Sequence, residues 1–141
     1  MFFIIMGMLK TNVNSGACMY TISDIAKILG ITAHTLRYYE KEEIIAPIRN
    51  ANGERIYDDS NLAWLRFVMR LKQTQMPIVQ IREYAQLYLQ GDHTTQARLN
   101  LLEEHRNSVQ NQINNLTATE KILGDKIAAY KNSVAKGTGI G

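Results

Sequence analysis

The stretch that decides the fold is Thr21-Ile22-Ser23-Asp24-Ile25-Ala26-Lys27-Ile28-Leu29-Gly30-Ile31-Thr32-Ala33-His34-Thr35-Leu36-Arg37-Tyr38-Tyr39-Glu40-Lys41-Glu42. Thr21 followed three residues later by Asp24 is a capping-box start, with Asp in place of the usual Glu. Ile22, Ile25, Ala26 and Leu29 then form one apolar face, and Gly30 suits a left-handed helix end. Thr32 can cap a second helix from Ala33 to about Glu42. Two short helices joined by a Gly-containing turn make a helix-turn-helix pattern, whose second helix enters the major groove of DNA. Here that helix presents Thr32, His34, Thr35, Arg37, Tyr38 and Tyr39. Small polar residues near its start can approach base edges and phosphates, and Arg37 can pair with a phosphate or a guanine edge. Tyr38 and Tyr39 are about 100° apart on a helix, so one can pack inward while the other offers its hydroxyl.

Ile44-Ile45-Ala46-Pro47-Ile48-Arg49 and Glu54-Arg55-Ile56-Tyr57 flank Asn50-Ala51-Asn52-Gly53. Asn-Gly between β-prone runs predicts a hairpin, short enough to be a wing. Arg49 and Arg55 flank its turn and are candidates to reach phosphates; Tyr57 is either a wing contact or a core aromatic. Asp58, Asp59 and Ser60 can cap a third helix carrying Leu62, Leu65, Val68, Met69 and Leu71 on one face. Met76-Pro77 breaks it, and Pro77 is placed to start a fourth helix that Gly91-Asp92 closes. Trp64, Phe67, Tyr84 and Tyr88 either line a small effector pocket between these helices or form the core that joins them.

From Thr95 to about Lys136 the chain has no proline and one glycine, Gly124. One heptad seam passes through Leu99, Arg106, Ile113, Glu120, Ile127 and Val134, the other through Leu102, Val109, Leu116, Leu123 and Tyr130. Nine of these eleven positions are apolar, which is a coiled-coil stripe. A helix of roughly 40 residues is about 60 Å long. A head of fewer than about 80 residues cannot bury such a seam, so the seam needs a partner, most simply a second copy. In an antiparallel pair centred near Ile113, Arg106 and Glu120 come together across the chains and help fix register.

The 141 residues are 45% apolar and 21% charged, the composition of a globular chain, and their number excludes a two-domain enzyme. Net charge is +3, compatible with nucleic acid but too mild to argue for it. Residues 1–59 carry −1 and residues 60–141 carry +4, so the excess lies away from the helix-turn-helix. Cys18 alone excludes an intramolecular disulfide and a multi-cysteine zinc site, and suits a reducing compartment such as the cytoplasm. His34, His93 and His105 are too scattered for a metal motif, and no catalytic constellation or phosphate loop stands out. Neither a metal, a cofactor nor an enzymatic activity is expected. Met1–Leu9 is too short to span a bilayer and has its Lys10 on the wrong side for a secretory signal. Ser15-Gly16-Ala17-Cys18 only faintly matches a lipoprotein cleavage site. Residues 1–18 read as an extension, disordered or upstream of a start at Met19. The expected organisation is a winged head over 19–74, a linking helix over 75–93, a dimerisation helix over 94–136 and a tail over 137–141.

Tyr20-Thr21-Ile22-Ser23-Asp24-Ile25-Ala26-Lys27, Thr35-Leu36-Arg37-Tyr38-Tyr39-Glu40 and Asn52-Gly53-Glu54-Arg55-Ile56-Tyr57 closely resemble the MerR family of bacterial transcription regulators, over about residues 20–131. The resemblance implies a mainly α fold: a winged helix-turn-helix, a linking helix pair and an antiparallel coiled-coil homodimer. It also implies binding to a palindromic promoter with an overlong spacer, distorted so that RNA polymerase can engage it. Arg37, Tyr38 and Tyr39 then fall on recognition-helix contacts, and Arg49, Arg55 and Tyr57 on the wing. Ile81-Arg82-Glu83-Tyr84, Gly91-Asp92, Ala97-Arg98, Leu102-Glu103-Glu104-His105-Arg106 and Asp125-Lys126-Ile127 resemble the short-chain, carbonyl- or nitrosative-stress-responsive branch, which lacks a separate ligand domain. Several members of that branch sense through a cysteine near the third helix. Here Phe67 to Lys72 contains no thiol, so that chemistry is not carried over. Two rival readings are a DNA-bending protein without an effector and a coiled-coil interaction protein whose head is a docking domain.

Overall fold

The computed structural model describes residues 18–137. The extension and the tail lie outside the described residues, apart from Cys18, which is exposed, and Gly137. In chain order the elements are β1 (Met19–Thr21), α1 (Ile22–Leu29), α2 (Ala33–Lys41), β2 (Ile48–Arg49), β3 (Arg55–Asp58), α3 (Asp59–Gln73), α4 (Ile78–Gln90), a single 3-10 turn (Asp92–Thr94) and α5 (Thr95–Lys136). One compact unit runs to Leu101 and a second begins at Leu102.

The helix ends follow the capping chemistry. Thr21 Oγ1 accepts from the Asp24 amide at 3.1 Å, and the Asp24 carboxylate accepts from the Thr21 amide at 2.9 Å. The bond from the Thr21 amide, with the Thr21 side chain as a smaller cause, holds the Asp24 carboxyl below its usual pKa. Gly30 sits at φ 69°, a left-handed conformation that costs a side chain free energy, and its amide returns to the Ala26 carbonyl. Thr32 caps α2 through the Thr35 amide.

Ahead of the first helix the structure adds a strand that the sequence pattern does not show. Met19–Thr21 is an extended edge strand, and the sheet order is β1-β3-β2, all antiparallel, with Tyr20 opposite Tyr57 and Arg49 opposite Arg55. Three residues are too few to show a two-residue alternation, so only their partner reveals the strand. The first wing strand is also shorter than Ile44–Arg49. Ile44 and Ile45 are buried in the core, and the Ile44 carbonyl accepts from the Trp64 indole at 2.8 Å instead of joining a ladder. Pro47 has no amide to donate.

The core gathers Ile25 from α1, Leu36 and Tyr39 from α2, Tyr57 from β3, Leu65 and Val68 from α3, and Ile81 and Ala85 from α4. Arg82 of α4 donates to the Glu42 carbonyl at 3.1 Å and pairs with the Glu42 carboxylate, tying α4 to the end of α2. Trp64, Phe67 and Tyr84 lie mutually 6.0 Å apart, with Trp64 and Tyr84 stacked. That is how a joint between α3 and α4 is packed. Tyr88 instead lies under the Arg98 guanidinium at 5.1 Å.

At the start of α3, Asp58 and Asn61 are both buried and cap each other reciprocally. Asp58 Oδ1 accepts from the Asn61 amide, and Asn61 Oδ1 accepts from the Asp58 amide, each at 2.9 Å. Asn61→Ala leaves a buried amide unpaired and is expected to cost about 1–3 kcal/mol in chemical denaturation at fixed protein concentration. A cost near zero would mean that water replaces the side chain.

Candidate nucleic-acid interface

Helix α2 carries its polar groups outward because Leu36 and Tyr39 anchor its inner face in the core. Thr32, His34, Arg37, Tyr38 and Lys41 are exposed, and Thr35 is half-buried. Arg37 makes no ion pair among the described residues. Thr32 and Thr35 share a hydroxyl–hydroxyl hydrogen bond of 3.0 Å at the helix start. The two adjacent tyrosines divide as their helical spacing requires. Tyr38 is 40% exposed, whereas Tyr39 is buried, with ring centroids 6.1 Å apart. Burial, with the neighbouring Tyr38 as a smaller cause, pushes the Tyr39 hydroxyl above its usual pKa.

The wing is built on Asn50, whose side-chain carbonyl accepts from the amides of Asn52 and Glu54, each at 2.9 Å. Gly53 turns the chain at φ 79°. Arg49 and Arg55, opposite each other on β2 and β3, both reach Glu40 in the last turn of α2. Arg49 Nη2 lies 3.1 Å from Glu40 Oε1, and Arg55 Nε lies 2.7 Å from Glu40 Oε2. Arg49 also donates through Nη1 to the Gly53 carbonyl at 3.0 Å. An open groove of about 510 Å³ lies beside the wing, lined by Tyr20, Thr21, Ser23, Arg49, Asn50 and Arg55.

Two assigned contact residues are placed differently from the family-based expectation. Tyr57 has no solvent exposure, and Tyr39 is only 5% exposed, so both rings serve the core. A hydroxyl sealed inside the head cannot meet a phosphate while the wing keeps this conformation. The Tyr57 hydroxyl has no hydrogen-bond partner among the described residues. Burial, reinforced by the Glu40 charge and opposed by Arg55, Arg49 and Arg37, pushes its pKa up to about 12. The sequence reading missed Glu40 as the link between wing and helix. Its signal was one acid on the helix and two arginines facing each other across the predicted hairpin. It also missed Tyr20, whose hydroxyl donates to Asp59 at 2.8 Å and is thereby raised to about 12. Among the described residues no three His, Cys, Asp or Glu come together as metal ligands.

Tyr57→Phe removes an unpaired buried hydroxyl. It is expected to leave stability at pH 7 unchanged, or raise it by up to about 1 kcal/mol, with specific DNA affinity unchanged. Because folding raises this pKa, the tyrosine's contribution is complete below about pH 10 and is lost as pH rises toward 12. The variant should therefore lose stability less steeply than the parent over that range in denaturation curves. A drop in specific affinity at unchanged stability would instead place Tyr57 on the DNA.

Comparisons with known proteins agree with this geometry. The family profile described as "MerR HTH family regulatory protein" matches residues 20–87, and "MerR, DNA binding" matches residues 62–125. An uncharacterized HTH-type transcriptional regulator of Haemophilus influenzae is 35% identical over 120 residues, covering 84% of this chain and 89% of its own. AdhR, an HTH-type transcriptional regulator of Bacillus subtilis, is 38% identical over 86 residues, covering 60% of this chain and 61% of its own. The crystal structure of HiNmlR, a MerR family regulator lacking the sensor domain and bound to promoter DNA, superposes with a TM-score of 0.78 at 34% identity. That match covers 86% of this chain and 97% of the other. With the helix-turn-helix, the wing and the long C-terminal helix in place, the chain belongs to the MerR family of DNA-binding transcription regulators.

Proposed function

We propose that this regulator works as a homodimer on a palindromic promoter whose elements are set too far apart, distorting the duplex so that RNA polymerase can engage it. The observation that carries this reading is the outward face of α2, with His34, Arg37 and Tyr38 exposed beside a wing bearing two arginines. Arg37 is the candidate for base readout; Thr32, Thr35, Tyr38, Arg49 and Arg55 are candidates for the phosphate backbone. Distorting a duplex costs several kcal/mol, which such phosphate contacts offset. The downstream stretch from Ile81 to Ile127, which resembles the stress-responsive branch, supports a stress-responsive role.

Nuclease footprinting of the promoter beside its own gene tests the reading. A palindromic protected site is expected, with binding that falls steeply as salt rises. Arg37→Ala should weaken that complex by about 1–3 kcal/mol while leaving the fold intact. Absence of protection at low salt by folded dimer would refute the proposal.

The apolar seam of α5 supports the second copy. Leu116 is 70% exposed, Val134 is 79% exposed, and Leu99, Ile113, Leu123, Ile127 and Tyr130 are also exposed; Leu102 and Val109 are half-buried. Ile122, outside the seam, adds a further exposed apolar side chain. An antiparallel pair centred near Ile113 juxtaposes Arg106 with Glu120 of the second copy. Arg106→Glu should then weaken the dimer in sedimentation equilibrium, and Arg106→Glu with Glu120→Arg should restore it. Equal dimer affinity in all three proteins would exclude this register.

A further inference from the structure

We propose that Glu40 is a positioning residue that sets the discrimination between promoter and bulk DNA, by holding the two wing arginines in a fixed position against the recognition helix. The inference rests on the reading of the wing as a phosphate-facing element. Arg49 and Arg55 are directly opposite each other on β2 and β3, and like charges in that position repel. Glu40 supplies one carboxylate oxygen to each of them, at 3.1 and 2.7 Å. The carboxylate comes from a different element, so the same contacts fix the wing's position relative to α2. Of the two arginines, Arg49 is the more open, with its side chain 47% exposed against 25% for Arg55.

The triad Arg49–Glu40–Arg55 has a net charge of +1, where two free arginines would present +2. Its charge centres are close enough that, together with Arg37, they bear on the one buried Tyr57 hydroxyl. A duplex that meets only the wing faces arginines already hydrogen-bonded to a carboxylate, and it meets that carboxylate's negative charge as well. A duplex seated on α2 and wing together offers phosphates to arginines that are held in place for them. The carboxylate therefore lowers affinity for every sequence through charge and returns affinity only where the wing's position matters. A purely structural acid would lower specific and non-specific binding together when removed.

The experiment measures binding of the full-length protein to the footprinted palindromic fragment and to a scrambled duplex of equal length, over 50 to 200 mM salt. Glu40→Gln raises the triad's charge to +2. On the scrambled duplex its log K against log salt slope should steepen by about 0.9, which is about 3.5-fold more affinity lost across that range. Affinity for the scrambled duplex at low salt should rise, and the ratio of specific to non-specific affinity should fall about three- to tenfold. Arg49→Gln gives a neutral triad and a shallower slope than the parent. The double variant Glu40→Gln with Arg49→Gln returns the charge to +1 and relieves the like-charge pair. It should regain the parental slope, and it keeps the test open if Glu40→Gln alone folds poorly. An unchanged slope in Glu40→Gln, or a double variant no steeper than Arg49→Gln, would overturn the proposal. If Arg49→Gln and Arg55→Gln both leave binding and slope untouched, the phosphate-facing reading of the wing fails instead.

Discussion

Strand β3 is only four residues long, yet the head is organised around it. Its backbone pairs with β1 on one side and β2 on the other, so Met19–Thr21 and the wing share one ladder. The Tyr57 ring goes into the core among side chains from α1, α2 and α3, and Asp58 starts α3 through its reciprocal cap with Asn61. Sheet pairing, core filling and helix initiation thus meet within two adjacent residues. A slip of one residue in this strand would turn Tyr57 to the outside and uncouple all three.

The charge pattern of the interface follows from the same arrangement. With β3 fixed against β2, Arg49 and Arg55 must stand opposite each other, and with α2 anchored by Leu36 and Tyr39, Glu40 lies between them. The wing's basic charge is therefore shared with an acid of the recognition helix. This explains how a head of nearly balanced charge, with eight Lys/Arg against seven Asp/Glu over residues 19–74, can still carry a locally basic surface: the arginines are placed locally, and most of the acids serve caps and ties. Asp24 and Asp58 cap helices, Asp59 accepts from Tyr20, and Glu42 holds Arg82. Position matters here more than net charge.

Much of this was legible in the sequence because short-range chemistry carried it. The capping pairs at Thr21 and Thr32, the left-handed Gly30, the Asn-Gly turn and the 3.5-residue seam are each decided within a few residues, and the helices begin where they indicate. The span of α5, Thr95–Lys136, could be read directly because nothing along it interrupts a helix. Less was legible where the outcome depends on distant partners. β1 exists through its ladder with β3, which lies far along the chain. Trp64 takes the Ile44 carbonyl across 20 residues, and Arg82 reaches Glu42 across 40.

The sequence by itself determined the helix-turn-helix, the hairpin and the long amphipathic helix, since each is a local pattern of propensity, capping and hydrophobic period. It also determined that one of Tyr38 and Tyr39 must turn inward, because adjacent helical residues cannot share a face. The tertiary structure decided that Tyr39 is the inward one and that Tyr57 joins it in the core. It also decided that Arg49 and Arg55 converge on Glu40. Those choices depend on which buried volume must be filled and which charges face each other, quantities that exist only once the separate elements have packed.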